Sequence, residues 1–266
     1  MTADKKYYLQ LAGGCNIEVV FQSYEIRHIE KRVQADFVDQ YKGFFIHPKP
    51  QTIHFQITFN NSLTAVILKK IKEDTGYVLF YVRKKNNIQT YYQISPSIFE
   101  TIIRNVLFEF LATGEKCIIH ASASLIKDVA YIFLGQSGAG KSTIAKLNKP
   151  FYPMLADDQL ILSMENNVLF AYQTPFLGKE TIFERTFKKY RVGSFFFLHK
   201  SKLDFVKKEM NKEKILPGMM QQLISENKPT KKSLELLFKY VHSHNNFYNL
   251  HFSKRNKAIQ KILRSF

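Results

Sequence analysis

Cysteine is scarce in this chain. Cys15 and Cys117 are the only two among 266 residues. They lie far apart, at no metal-binding or redox spacing, which argues against a disulfide framework and makes a reducing compartment the expectation. Long apolar runs are missing as well: none reaches the ~18 residues a membrane-spanning helix needs, so no membrane insertion is expected. The opening MTADKKYYLQ lacks the apolar stretch of a signal peptide, and a cytoplasmic protein is expected. No internal repeat or low-complexity tract is found, which sets aside repeat architectures. Acidic residues are few: 22 Asp plus Glu stand against 39 Lys plus Arg, a formal net charge of +17. Such a balance suits an anionic partner, whether nucleotide, nucleic acid, acidic peptide or membrane surface; a lysine-rich solvated surface is the plainer explanation. No nucleic-acid-binding motif accompanies the charge, so no nucleic acid is expected.

What is present is a globular composition, 45% hydrophobic and 23% charged, long enough for one large domain or two small ones. Up to about residue 95 the pattern favours strands. KYYLQLA, IEVVFQSY, TIHFQITFN and GYVLFYVRK are rich in β-branched and aromatic residues, with turn signals at KPQTI and NNS, and no long amphipathic helix stands out. Ser95-Pro96-Ser97 then opens a helix over about 96–113, with Ile98, Ile102, Ile103, Val106, Leu107, Phe110 and Leu111 at helical spacing and Gly114 as C-cap. This helix marks the expected boundary between a β-rich N-terminal domain, 1–95, and a second domain, 96–266.

In the second part KCIIHASASLI and VAYIFLG read as two strands joined at Lys127-Asp128. A short helix ends near Lys149-Pro150, a strand covers FYPMLADDQLIL, and Asn166-Asn167 turn into VLFAYQTPF. VGSFFFLHK is another apolar strand, and the tail reads helix, strand, helix. The lysine-rich stretch over about 200–240 reads as a solvated helical face.

The chemistry concentrates in IFLGQSGAGKST, Ile132 to Thr143, which holds G-x-x-x-x-G-K-S between a strand and a helix-competent segment. That context is what a phosphate loop requires. Gly135, Gly138 and Gly140 permit the turns, while the amides of Gln136, Ser137, Ala139 and their neighbours point at phosphate oxygens beside the positive end of the helix. Lys141 is expected to reach the β- and γ-phosphates, Ser142 to ligate magnesium, and Thr143 to approach the α-phosphate. Asp157 and Asp158 stand together in the apolar PMLADDQLIL, Asp157 sixteen residues beyond Lys141. Carboxylates need compensation in such a setting, and a strand lying next to the loop would supply it through Lys141 and a metal ion. Adjacent strand residues face opposite ways, so one Asp would serve the metal and the other accept a proton from an attacking hydroxyl. A strand-end pair capping backbone amides is the alternative.

HASAS at 120–124, GQSGAGKST at 135–143 and LADD at 155–158, in that order and spacing, together resemble the kinase core of the HPr kinase/phosphorylase family, and more closely its smaller relatives that act on peptides and small molecules. QTPFLGKE, FFFLHKS and YNLHFSKR are similar in character to that group's later strands, so the resemblance covers about residue 100 onward. It implies a mixed α/β (α+β) fold of the phosphoenolpyruvate carboxykinase type, ATP and Mg2+ as cofactors, and a peptide or small protein as phosphoryl acceptor, with self-association into a homo-oligomer left open. His120 matches the family histidine near the transferred phosphate; a buried structural histidine is the alternative. Lys141 and Ser142 match the phosphate and metal residues, and Asp157 and Asp158 the acidic pair. The family's Arg-Gly-Leu-Gly signature is not found and the N-terminal part is short, departures that bear on the HPr substrate and on reverse phosphorolysis. Lys179, Arg185 or Arg191 could supply the missing cation. An ATPase or nucleotide-binding scaffold is the alternative function, although the LSGGQ and NKxD motifs of two common nucleotide-hydrolase classes are absent.

Overall fold

A computed structural model describes residues 4–23, 27–60, 68–70, 76–78, 80–176, 184–209, 211–226, 228–253 and 259–266. The chain divides into two compact units, Met1–Leu107 and Phe108–Phe266.

The first unit contains β1 (Lys5–Leu11), β2 (Cys15–Phe21), α1 (Arg27–Gln40), β3 (Phe55–Asn60), β4 (Leu68–Lys70), β5 (Gly76–Val78), β6 (Tyr81–Lys84), β7 (Asn87–Tyr91) and most of α2 (Pro96–Ala112). Its main sheet has the order β1-β2-β3-β7-β6, with β2, β3 and β7 parallel and antiparallel strands at both edges. Parallel neighbours require a crossover, and α1 provides the one between β2 and β3. This helix corrects the expectation of a strand-only segment. Val33, Phe37 and Tyr41 recur every fourth residue in a largely polar run, too narrow a stripe to stand out. In the fold Phe37 and Tyr41 are buried; Phe37 meets Phe21 and Phe99 edge-on and Tyr41 at a tilt, and Tyr41 meets Phe99 edge-on. α2 begins as its sequence signals: Ser95 Oγ accepts from the Ile98 amide at 3.3 Å and Pro96 takes the first helical position.

The second unit contains β8 (Lys116–His120), β9 (Ser122–Ile126), β10 (Val129–Leu134), α3 (Lys141–Asn148), β11 (Met154–Ala156), β12 (Gln159–Glu165), β13 (Val168–Gln173), β14 (Lys189–Lys200), β15 (Phe205–Lys208), α4 (Lys212–Met220), β16 (Leu223–Ile224), α5 (Lys231–Ser243), β17 (Phe247–Phe252) and α6 (Ile259–Arg264). Its sheet runs β11-β9-β10-β14-β13-β12-β8-β16, with β17 also on β14 and β15 on β17. The lysine-rich stretch therefore holds β15 and β16 as well as helix, correcting the purely helical reading. α4 and α5 cover one face, where Ile215, Met219, Leu236, Leu237 and Tyr240 meet Ile132, Leu134 and Phe195. α3 and α6 cover the other, where Ile144, Ile259 and Leu263 meet Phe133, Phe196 and Leu198.

Two expected single strands are each broken in two. KCIIHASASLI becomes β8 and β9, and PMLADDQLIL becomes β11 and β12. β8 pairs antiparallel with β12, and β9 with β11. His120 stands opposite Gln159 and Ala123 opposite Ala156, one register carried through the break. The Ala121 amide, hydrogen-bonded to the Asp158 carbonyl at 3.0 Å, bridges it. The two chains thus form a long ladder kinked at one level, and the acidic pair lies in that kink. The acidic segment also does not neighbour the phosphate-loop strand, as the sequence suggested: β9 lies between β10 and β11.

Candidate functional site

HASAS explains its own composition. Cys117, Ile119, Ala121, Ala123 and Leu125 alternate along β8 and β9 into the core beneath α4 and α5. On β9 the intervening residues Ser122 and Ser124 face the other way, toward α3. Ser122 and Ser124 are buried and small, so the helix seats closely. Ser122 Oγ donates to the Lys141 carbonyl at 3.3 Å, and Asn148 Nδ2 donates to Ser124 Oγ at 3.3 Å. His120, next in this row and beyond the helix footprint, reaches an open cleft with its side chain 42% exposed.

The phosphate loop leaves β10 at the sheet's centre and turns into α3. Gly138 (φ +79°) and Gly140 (φ +114°) occupy left-handed backbone that side chains disfavour. A Cβ on Gly140 would also come within 2.6 Å of the Phe252 ring, so any side chain there must displace that ring. Lys141 opens α3 and is buried, its Nζ donating to the Gly135 and Gln136 carbonyls at the loop's base. The Ala139 amide closes the turn onto the Gln136 carbonyl at 3.0 Å.

Asp157 and Asp158 occupy a bend, not a strand, so the opposite-faces rule does not separate them. Both line the cleft, Asp157 buried and Asp158 with its side chain 33% exposed. Asp158 Oδ1 lies 3.5 Å from His120 Nε2, an ion pair when the imidazole is protonated, and Gln159 Nε2 donates to Oδ2 at 3.4 Å. The cleft, about 360 Å³, is lined by Ser137, Gly138, Gly140, Lys141, Ser142, Thr143, His120, Asp157, Asp158 and Lys200. The fold therefore brings the candidate histidine, carboxylates and loop to one cavity, with Gly135, Gln136 and Ala139 forming the loop's base.

Of the candidate replacement cations, Arg185 and Arg191 are not among the described residues that line the cleft. Arg191 pairs with Val129, at the opposite end of β10 from the loop, and the Arg185 guanidinium lies 3.4 Å from the Phe176 carbonyl. Lys179 lies outside the described residues. The cleft's second lysine is Lys200, which lies within FFFLHKS but has no role of its own in the motifs. Its signal is the alternation Phe196, Leu198, Lys200; the strand's pairing beside β10 is nonlocal and leaves no mark in the sequence.

Among the described residues no group of three or more His, Cys, Asp or Glu side chains is arranged to hold a metal. The two carboxylates and the Ser142 hydroxyl nonetheless suit magnesium, which keeps several waters and typically takes one or two protein carboxylates plus substrate phosphates. Burial pushes the Cys117 thiol up to about 12, so it offers no thiolate nucleophile near neutral pH.

No family model matches the chain, and no curated protein matches it. Among solved structures it is similar to the HPr(Ser) kinase/phosphatase of Coxiella burnetii, at 16% identity and a TM-score of 0.34, over 56% of this chain and 94% of that one. A likeness of that size carries no conclusion about this chain.

Proposed function

We propose that the second unit is an ATP- and Mg2+-dependent kinase that passes the γ-phosphoryl group to a hydroxyl. The observation that carries this reading is the shared cleft: a glycine-rich loop at a helix N-terminus faces two carboxylates and a histidine across about 360 Å³. Phosphoryl transfer asks chiefly for positioning and electrostatics, and these groups supply both.

Backbone amides from Gly138 to Thr143 and the Lys141 ammonium bind the phosphate chain. Ser142 and Asp157 would hold magnesium, which when bound neutralises phosphate charge. Asp158, more exposed than Asp157, takes the proton of the acceptor hydroxyl on a carboxylate oxygen, while His120 beside it fixes its orientation. Ser122 anchors the loop's lysine from β9. The resemblance of the three motifs supports a phosphoenolpyruvate carboxykinase-like core and a seryl acceptor on a peptide or small protein. The N-terminal unit would help bind that acceptor, in the cytoplasm, without nucleic acid.

Incubation with ATP, magnesium and a peptide library tests the reading by the mass gain of one phosphoryl group. Phosphate released to water with every peptide unmodified points instead to an ATPase, and nucleotide binding without turnover to a scaffold.

A further inference from the structure

We infer that Lys200 is a second phosphate-binding cation, directed at the terminal phosphoryl group; the inference rests on the kinase reading above. β14 runs parallel to β10, with Leu134 opposite Phe197. β10 ends there and the loop begins, but β14 continues to Lys200, so its last residues run alongside the loop. A Cβ on Gly135 would lie 3.6 Å from Leu198 Cβ, which shows how closely strand and loop approach.

Strand alternation sets the direction of the lysine. Phe196 and Leu198 pack into the cluster under α3, and Lys200 is the next residue on that face. Its register neighbour on β17 is Phe252, the ring that backs Gly140. Lys200 therefore stands beside the residue that shapes the loop immediately before Lys141. It is exposed, it lines the cleft with the loop and the acidic pair, and its side chain makes no hydrogen bond or ion pair with the described residues. Lys189 and Lys239, by contrast, are paired with Glu165 and Glu115.

Charge assigns the task. Without Lys200, Lys141 would be the one lysine facing Asp157 and Asp158 among the residues that line the cleft. A triphosphate adds further negative charge at its terminal end, and a mobile ammonium there supplies charge-assisted hydrogen bonds. Bound between the helix N-terminus and the acidic pair, the nucleotide presents its terminal phosphate nearest the carboxylates, and Lys200 acts there. A diphosphate lacks that group.

The test compares a non-hydrolysable ATP analogue with ADP, both with magnesium, by calorimetric titration of the full chain and of Lys200→Met. The expected result is a loss of about 10- to 100-fold in affinity for the analogue, the size expected of a hydrogen bond to a charged group, with ADP affinity within about threefold. Unchanged ADP binding also reports that the variant is folded. Analogue affinity within about threefold of the parent, or an equal loss for both nucleotides, overturns the assignment to the terminal phosphate while leaving the kinase reading in place. A parent chain that binds neither nucleotide overturns both.

Discussion

Asp157 and Asp158 are chemically identical neighbours with different surroundings, and the difference is testable. Asp157 is buried, whereas Asp158 is partly exposed and paired with His120. Replacement of Asp158 by Asn is expected to lower phosphoryl transfer by about 10²–10⁴-fold, the range for losing a general base, with nucleotide affinity retained. Asp157→Asn is expected to weaken magnesium-dependent nucleotide binding itself. Titration and turnover on each variant separate the two, and full activity in both would leave the proton without an acceptor. Gly140 makes a sharper structural demand. Gly140→Ala forces a methyl to 2.6 Å from the Phe252 ring at a φ of +114°, and strained backbone of this kind costs about 1–3 kcal/mol. A lowered melting temperature together with lost nucleotide binding is the expected outcome.

At the scale of elements, the arm of the sheet that carries β12 is tied across three strands. Glu165 on β12 accepts hydrogen bonds from Tyr172 on β13 and Lys189 on β14. Burial pushes the Glu165 carboxyl up, but those hydrogen bonds outweigh it and hold the group below its ordinary value. A carboxyl whose folded pKa is depressed adds stability above its unfolded pKa, and that stability fades as pH falls through the carboxylate range toward the folded value. Glu165→Gln is therefore expected to flatten the acid limb of a stability-against-pH curve below about pH 5, read by denaturant unfolding. α5 offers a control remote from the cleft. Thr230 caps it, its side chain accepting from the Ser233 amide at 3.1 Å. Thr230→Ala should cost about 0.5–2 kcal/mol in urea unfolding and leave nucleotide affinity unchanged.

Charge governs the behaviour of the whole molecule in salt. A formal net charge of +17 repels itself in the compact state. Raising ionic strength from about 0.01 M to about 0.15 M shortens the screening length from about 30 Å to about 8 Å. The melting temperature is expected to rise over that interval; a fall would mean that favourable ion pairs outweigh the repulsion. Among the described residues no helix is long and apolar enough to cross a membrane.

Local signals were legible wherever backbone chemistry is local. The phosphate loop, the Lys127-Asp128 and Asn166-Asn167 turns with their left-handed backbone, and the start of α2 follow from glycine, asparagine, proline and capping preferences that act within a few residues. α1 was hidden because its apolar stripe is one residue wide, and tertiary packing of Phe37 and Tyr41 sustains it instead of a broad amphipathic face. The sequence could name His120 and the aspartates but not their arrangement. The kink that puts both carboxylates in one cleft comes from a ladder between segments thirty or more residues apart. Lys200 enters through the parallel pairing of β14 with β10, another nonlocal contact. The sequence by itself thus determined which groups are available for chemistry, because residue identity and local turn geometry need no partner. Only the tertiary structure decided which of them share a cavity, because strand register is settled by burying alternate faces against helices distant in the chain.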